Sequence, residues 1–136
     1  MNYKINKNNT LFLSGYFGRD VFGAGFKFNW GNSTATVRWN HIFNSKLFMN
    51  LTSFYSNYQY SLGFKTEGTS QAFDWNSNII NYSFKPDFTY YLNAKNTIKF
   101  GAQAILFTFK PGDAVVTGED GVKSSLLLPN QYGTEY

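Results

Sequence analysis

Between Ile79 and Leu92 the chain alternates with a period of two. Ile80, Tyr82, Phe84, Pro86, Phe88, Tyr90 and Leu92 share one parity, while Asn81, Ser83, Lys85, Asp87 and Thr89 share the other with Tyr91. Successive side chains of a strand point to opposite faces, so this segment builds a ribbon with one greasy side and one polar side. A helix would scatter the same residues around its circumference, so the segment is read as a strand between an apolar medium and water.

The pattern recurs along the chain. Ile98, Phe100, Ala102, Ala104 and Leu106 alternate with Thr97, Lys99, Gly101 and Gln103, and Ala35, Val37, Trp39 and Phe43 alternate with Thr34, Thr36, Arg38 and Asn40. Leu11, Leu13 and Phe17 alternate with Phe12, Ser14 and Tyr16, and a looser alternation begins at Leu47. Asn6-Lys7-Asn8-Asn9, Asn44-Ser45-Lys46 and Asn93-Ala94-Lys95-Asn96 read as tight turns between antiparallel neighbours. The expected fold is all-β, an antiparallel up-and-down meander of about six long strands. "GRDVFGAGFKFNWGN" and "KTEGTSQAFDWNSN" read as long loops, so short turns gather at one end and long loops at the other. Transmembrane β-barrels have that asymmetry.

Composition agrees with strands in lipid. Charged residues make up 15% and aromatics 21%, which leaves few groups to keep a soluble surface wet, yet mean hydropathy is −0.34. No apolar run is long enough for a spanning helix. About ten residues beyond each turn, Phe17 and the aromatics of 55–60 and 107–109 suggest an outer girdle. Phe12, Trp39, Phe43, Phe48, Tyr90, Tyr91 and Phe100 suggest an inner one. Arg38, Lys85, Asp87, Lys99 and Gln103 then face a polar lumen, because a bare cation facing lipid costs about 2–4 kcal/mol at the bilayer midplane. Charge pairing that hydrates the lumen is the favoured role of these residues, with contact to a plug or solute as the other. Arg19 and Asp20 are expected to end the first strand in water.

The ordered phrases "NYKINKNNTLFLSGYFGRDVFG", "TATVRWNHIFNSKLFMNLTSFYSNYQY" and "YSFKPDFTYYLNAKNTIKFGAQAILFTFKPG" resemble the barrel portion of TonB-dependent outer-membrane receptors of the Bacteroidetes type. The resemblance runs from Asn2 to about Gly112 and implies a transmembrane barrel of about 22 strands occluded by a plug. It divides the chain into an outer-membrane β-barrel segment, 1–112, and a long truncated extracellular loop, 113–136. It further implies location in the cell outer membrane and uptake of a scarce solute: a siderophore, glycan or peptide. The implied partners are membrane lipid, a TonB-type energy-coupling protein acting through a plug that this chain lacks, and a lipoprotein lid. With no leader at "MNYKINKNN", the chain is expected to be a fragment. The alternatives are a small structural outer-membrane barrel and a soluble β-sheet binding module without transport.

Phe26, Phe28, Trp30, Phe73 and Trp75 are the candidate stacking residues, placed on the two long loops. No catalytic residue, metal site or cofactor is assigned, and the expectation is of a protein that is not an enzyme. His41 stands beside a turn on an apolar parity, an interfacial position rather than that of a base. Asp113, Glu119 and Asp120 match no calcium-loop spacing, and there are no cysteines. Nucleic acid is not an expected partner: the lysines are scattered and "GYFGRDVFGAGF" is followed by no helix.

Overall fold

The computed structural model describes residues 1–23, 26–69 and 71–136. They form one antiparallel sheet of nine strands: β1 (Asn2–Asn6), β2 (Asn9–Gly23), β3 (Phe26–Ile42), β4 (Leu47–Lys65), β5 (Ala72–Asn93), β6 (Asn96–Gly101), β7 (Ala104–Thr117), β8 (Lys123–Leu127) and β9 (Gln131–Glu135). β6 and β7 hold a single register against β5, with Phe100 opposite Phe88 and Ala104 opposite Phe84. Pro86 has no N–H to complete the ladder between them, although Ala102 still donates to its carbonyl at 3.1 Å. β8 and β9 likewise hold one register against β7, broken around Pro129. Two interrupted passes among nine strands leave seven chain passes in sequential order, an open meander that does not close.

Both sets of connections are short. At one end, which we call the turn end, an asparagine organises each turn. The Asn44 side chain accepts from the amides of Lys46 and Leu47 at 2.9 Å, and Asn93 accepts from Lys95 and Asn96 at 3.0 and 2.9 Å. Asn6 accepts from the Asn8 amide and the Asn9 side chain. At the far end β4 and β5 are separated by residues 66–71, and β7 and β8 by 118–122. The long loops expected there are instead continuations of the strands, which reach 15 residues in β2, 17 in β3, 19 in β4 and 22 in β5. Arg19 and Asp20 accordingly lie inside β2 on opposite faces instead of ending it. Residues 113–136, expected as a loop, complete β7 and supply β8 and β9. The reason is a change of phase: the apolar parity is odd at Ala35, Val37 and Trp39 but even at Phe26, Phe28 and Trp30, so an unbroken strand reads as a break.

The sheet is one layer thick. Among the described residues only Ser77 and Pro111 are buried, and no side chain of the usual core-forming types is. Its exposed area is 9845 Å², against about 7,200 Å² for a compact monomer of this mass. The excess is both faces of the sheet, open to whatever medium surrounds them.

Candidate functional site

We name the faces after Leu13 and Arg38. In the half nearest the turns, the Leu13 face carries Leu11, Leu13, Val37, Trp39, Met49, Leu51, Tyr55, Tyr82, Phe84, Pro86, Phe88, Phe100 and Leu106 in register across neighbouring strands. Phe84 is 50% exposed and Leu106 55% exposed, so this belt has no cover within the chain. Three of the seven residues of the expected inner girdle are elsewhere: Trp39, Tyr90 and Phe100 do lie on this face, but Phe12, Phe48 and Tyr91 lie on the opposite one. Proximity to a turn sets height, whereas parity sets face. His41 ends the belt, packed edge-on against Phe43 at 4.4 Å, with its Nδ1 2.7 Å from Asn9 Oδ1. The same Asn9 oxygen accepts from the Trp39 indole at 3.0 Å. The three side chains of Asn9, Trp39 and His41 thus form one hydrogen-bonded cluster beside the turn.

Behind the belt the Arg38 face is polar. Arg38 is opposite Thr52, and Thr52 is opposite Lys85, so the two cations share a row. Lys85 pairs with Asp87 at 3.7 Å, both side chains half-exposed, and Lys99 stands opposite Thr89. Gln103 falls between β6 and β7, outside the paired ladder. Thr10, Asn40, Asn50, Asp87 and Lys99 line a groove of about 720 Å³ on this face. The Oδ1 atoms of Asn40, Asn50 and Asn81 are enclosed without a hydrogen-bond partner.

In the far half the two faces exchange character. The Arg38 face now carries Phe26, Phe64 and Phe73 in one row, Phe22, Phe28, Leu62 and Trp75 in the next, and Trp30 opposite Tyr60 in a third. Rings meet at 6.0 Å between Phe26 and Phe64, 6.1 Å between Phe64 and Phe73, and 5.4 Å edge-on between Tyr60 and Trp75. All five stacking candidates therefore share one face, on strands rather than on loops. Sequence reading missed Phe22, Leu62 and Phe64 and gave Tyr58 and Tyr60 to the outer girdle, although their parity matches that of Phe26 and Phe28 once the strands are seen to continue. Ala24, Gly25 and Ser70 of the expected loops lie outside the described residues.

A β-bulge anchors this aromatic wall. Between Asn76 and Asn78 of β5 the partner strand has the extra residue of Pro111-Gly112. Gly112 has φ +91°, and a Cβ there would overlap the Asn76 carbonyl. The Trp75 indole donates to the Pro111 carbonyl at 2.8 Å and the Ser77 hydroxyl to the Lys110 carbonyl at 2.9 Å. The Pro111 carbonyl at the bulge thus holds Trp75 in place, and the Lys110 carbonyl holds Ser77.

No protein-family model, curated protein or solved structure matches this chain. Its chemistry has to be read from the surfaces themselves. Among the described residues no group of three His, Asp or Glu side chains is gathered to hold a metal. What the surfaces offer is an apolar belt, a polar reverse side and a wall of fixed aromatic rings.

Proposed function

We propose that this chain forms part of the wall of a transmembrane β-barrel in an outer membrane, in a receptor of the TonB-dependent kind that takes up a scarce solute. The observation that carries this reading is the uncovered apolar belt on the turn-end half of the Leu13 face, with Arg38, Thr52, Lys85, Asp87 and Lys99 gathered on the reverse face. Lipid accepts the first and a water-filled lumen the second. Strand length supports it: a tilted strand crosses the hydrocarbon core in about 9–11 residues, so about half of the 22-residue β5 stands clear of the lipid.

On this reading the aromatic wall faces inward above the membrane, where solute would enter. Phe26, Phe28, Trp30, Phe73 and Trp75 supply flat apolar surfaces for sugars, siderophore rings or peptide side chains. Energy coupling through a plug, with or without a lipoprotein lid, follows from the resemblance alone. Fractionation of the expressing cell tests the membrane reading: the protein is expected in the outer membrane and released only by detergent. Recovery in the soluble fraction without detergent would replace this reading by that of a soluble β-sheet module. Within a membrane-located protein, Trp30→Ala combined with Trp75→Ala is expected to lower solute affinity. Unchanged affinity would remove the aromatic wall from the binding site.

A further inference from the structure

The aromatic wall is graded in polarity, and the cations of the same half stand behind it. From the far end toward the turns, the Arg38 face carries Phe26, Phe64 and Phe73, then Phe22, Phe28, Leu62 and Trp75, then Asp20, Trp30, Tyr60 and Ser77. Two apolar rows thus lead to one that combines aromatic rings with a carboxylate and a hydroxyl. Asp20 is exposed, stands directly opposite Trp30 in the ladder, and has no ion-pair partner among the described residues. Residues so opposed hold their Cβ atoms about 4.5–5.5 Å apart, so one small group can touch both side chains. The Phe28 ring lies 5.1 Å from that of Trp30, which continues the apolar surface outward from this row.

The basic residues of this half lie on the other side of the sheet. Arg19, Lys27, Lys65, Lys110 and Lys123 share the Leu13 face, where Arg19 and Lys110 flank the amide groove of Asn29, Gln59 and Asn78, about 500 Å³ in volume. The far turns add acids: Glu67 in 66–71, and Glu119 and Asp120 in 118–122. An anionic solute therefore meets no counter-charge among the described residues of the wall, and acids at its rim. A cation meets the reverse. The faces of indole and phenol rings attract it through their quadrupoles, most strongly for Trp, and Asp20 supplies the opposite charge beside Trp30.

We infer that the solute taken by the aromatic wall is an amphiphilic cation, its apolar body on the two outer rows and its ammonium or guanidinium group between Asp20, Trp30 and Tyr60. This inference rests on the proposal that the wall binds solute. The test is isothermal titration of the detergent-solubilised protein with diphenylalanine amide, its N-acetyl derivative and N-acetyl diphenylalanine, which present the same rings with a positive, no and a negative charge. The cation is expected to bind about tenfold more tightly than the neutral compound, and the anion more weakly than either. Asp20→Asn should remove most of that preference and Asp20→Glu should keep it, whereas Trp30→Ala should weaken all three compounds. Phenethylamine is expected to show the same preference over phenethyl alcohol; a preference confined to the peptides would overturn the general class of amphiphilic cations. Equal affinity for the three peptides, still weakened by Trp30→Ala, would overturn the cation assignment and leave the wall as a solute site. Affinities left unchanged by both Trp30→Ala and Asp20→Asn would remove solute binding from the wall and overturn this inference with it.

Discussion

The turn-end and far halves of this sheet are built from the same strands, in the same register, with opposite sides greasy. Near the turns, Val37, Leu51 and Phe84 make the Leu13 face apolar and Arg38, Thr52 and Lys85 make the reverse polar. Farther along, Asn29, Gln59 and Asn78 occupy the Leu13 face and Phe28, Leu62 and Trp75 the reverse. A strand in one uniform environment has no cause to exchange its faces. The exchange shows that β3, β4 and β5 are fitted to two settings along their length, and that hydrophobic parity is a local property rather than a property of the strand.

The comparison can be broken most severely at the bulge that carries β7 from one half to the other. Gly112→Val puts a branched side chain at positive φ and into the Asn76 carbonyl, so no rotamer accommodates it. The expected outcome is loss of β5–β7 pairing in the far half with the turn-end half retained, read as fast amide exchange at 113–117. Slow exchange there would show that the bulge is not required. Next in size, on the proposed membrane reading, Phe84→Arg in the middle of the belt is expected to destabilise the protein by about 2–4 kcal/mol. Gln59→Arg, on the same face in the far half, should stay within about 0.5 kcal/mol. Equal effects in urea titrations from vesicles would erase the distinction between the halves.

Smaller effects sharpen the picture at its edge. Asn44→Ala leaves the Lys46 and Leu47 amides without their side-chain acceptor and is expected to cost about 1 kcal/mol, measured by the same titration. A loss confined to the turn-end half would show that the halves unfold separately. The smallest change is expected from Lys85→Ala: its pair with Asp87 is half-exposed, and such pairs contribute about 0–1 kcal/mol. A larger loss would mean that Lys85 holds something beyond Asp87.

The turn-end half was legible in the sequence because each determinant there is local. Period-two alternation needs only neighbouring residues, and the Asn turns need only the residues they close. The common face of Arg38, Lys85, Asp87 and Lys99 followed from parity alone. The far half was misread because its parity is inverted: "FKFNW" is a good strand pattern, but it is out of phase with "TVRW", and a phase break resembles a loop. Trp75 could be singled out as an aromatic in a polar stretch, whereas its fixation by the Pro111 carbonyl depends on a bulge in a strand distant in sequence. The amide groove was invisible for a related reason. Asn29, Gln59 and Asn78 come from three strands, and Asn-rich stretches elsewhere in this chain are turns.

The exchange of faces also bears on how the strands find their alignment. In a strand with one greasy side throughout, a slip by two residues keeps every side chain on its proper face, and alternation alone does not forbid it. Here such a slip between β3 and β4 would leave the faces correct but put the crossover heights out of step, setting aromatic rings of one strand beside amides of the next. The inversion therefore works as a height mark written into β3, β4 and β5, making the centre of the sheet self-aligning along its length as well as across it.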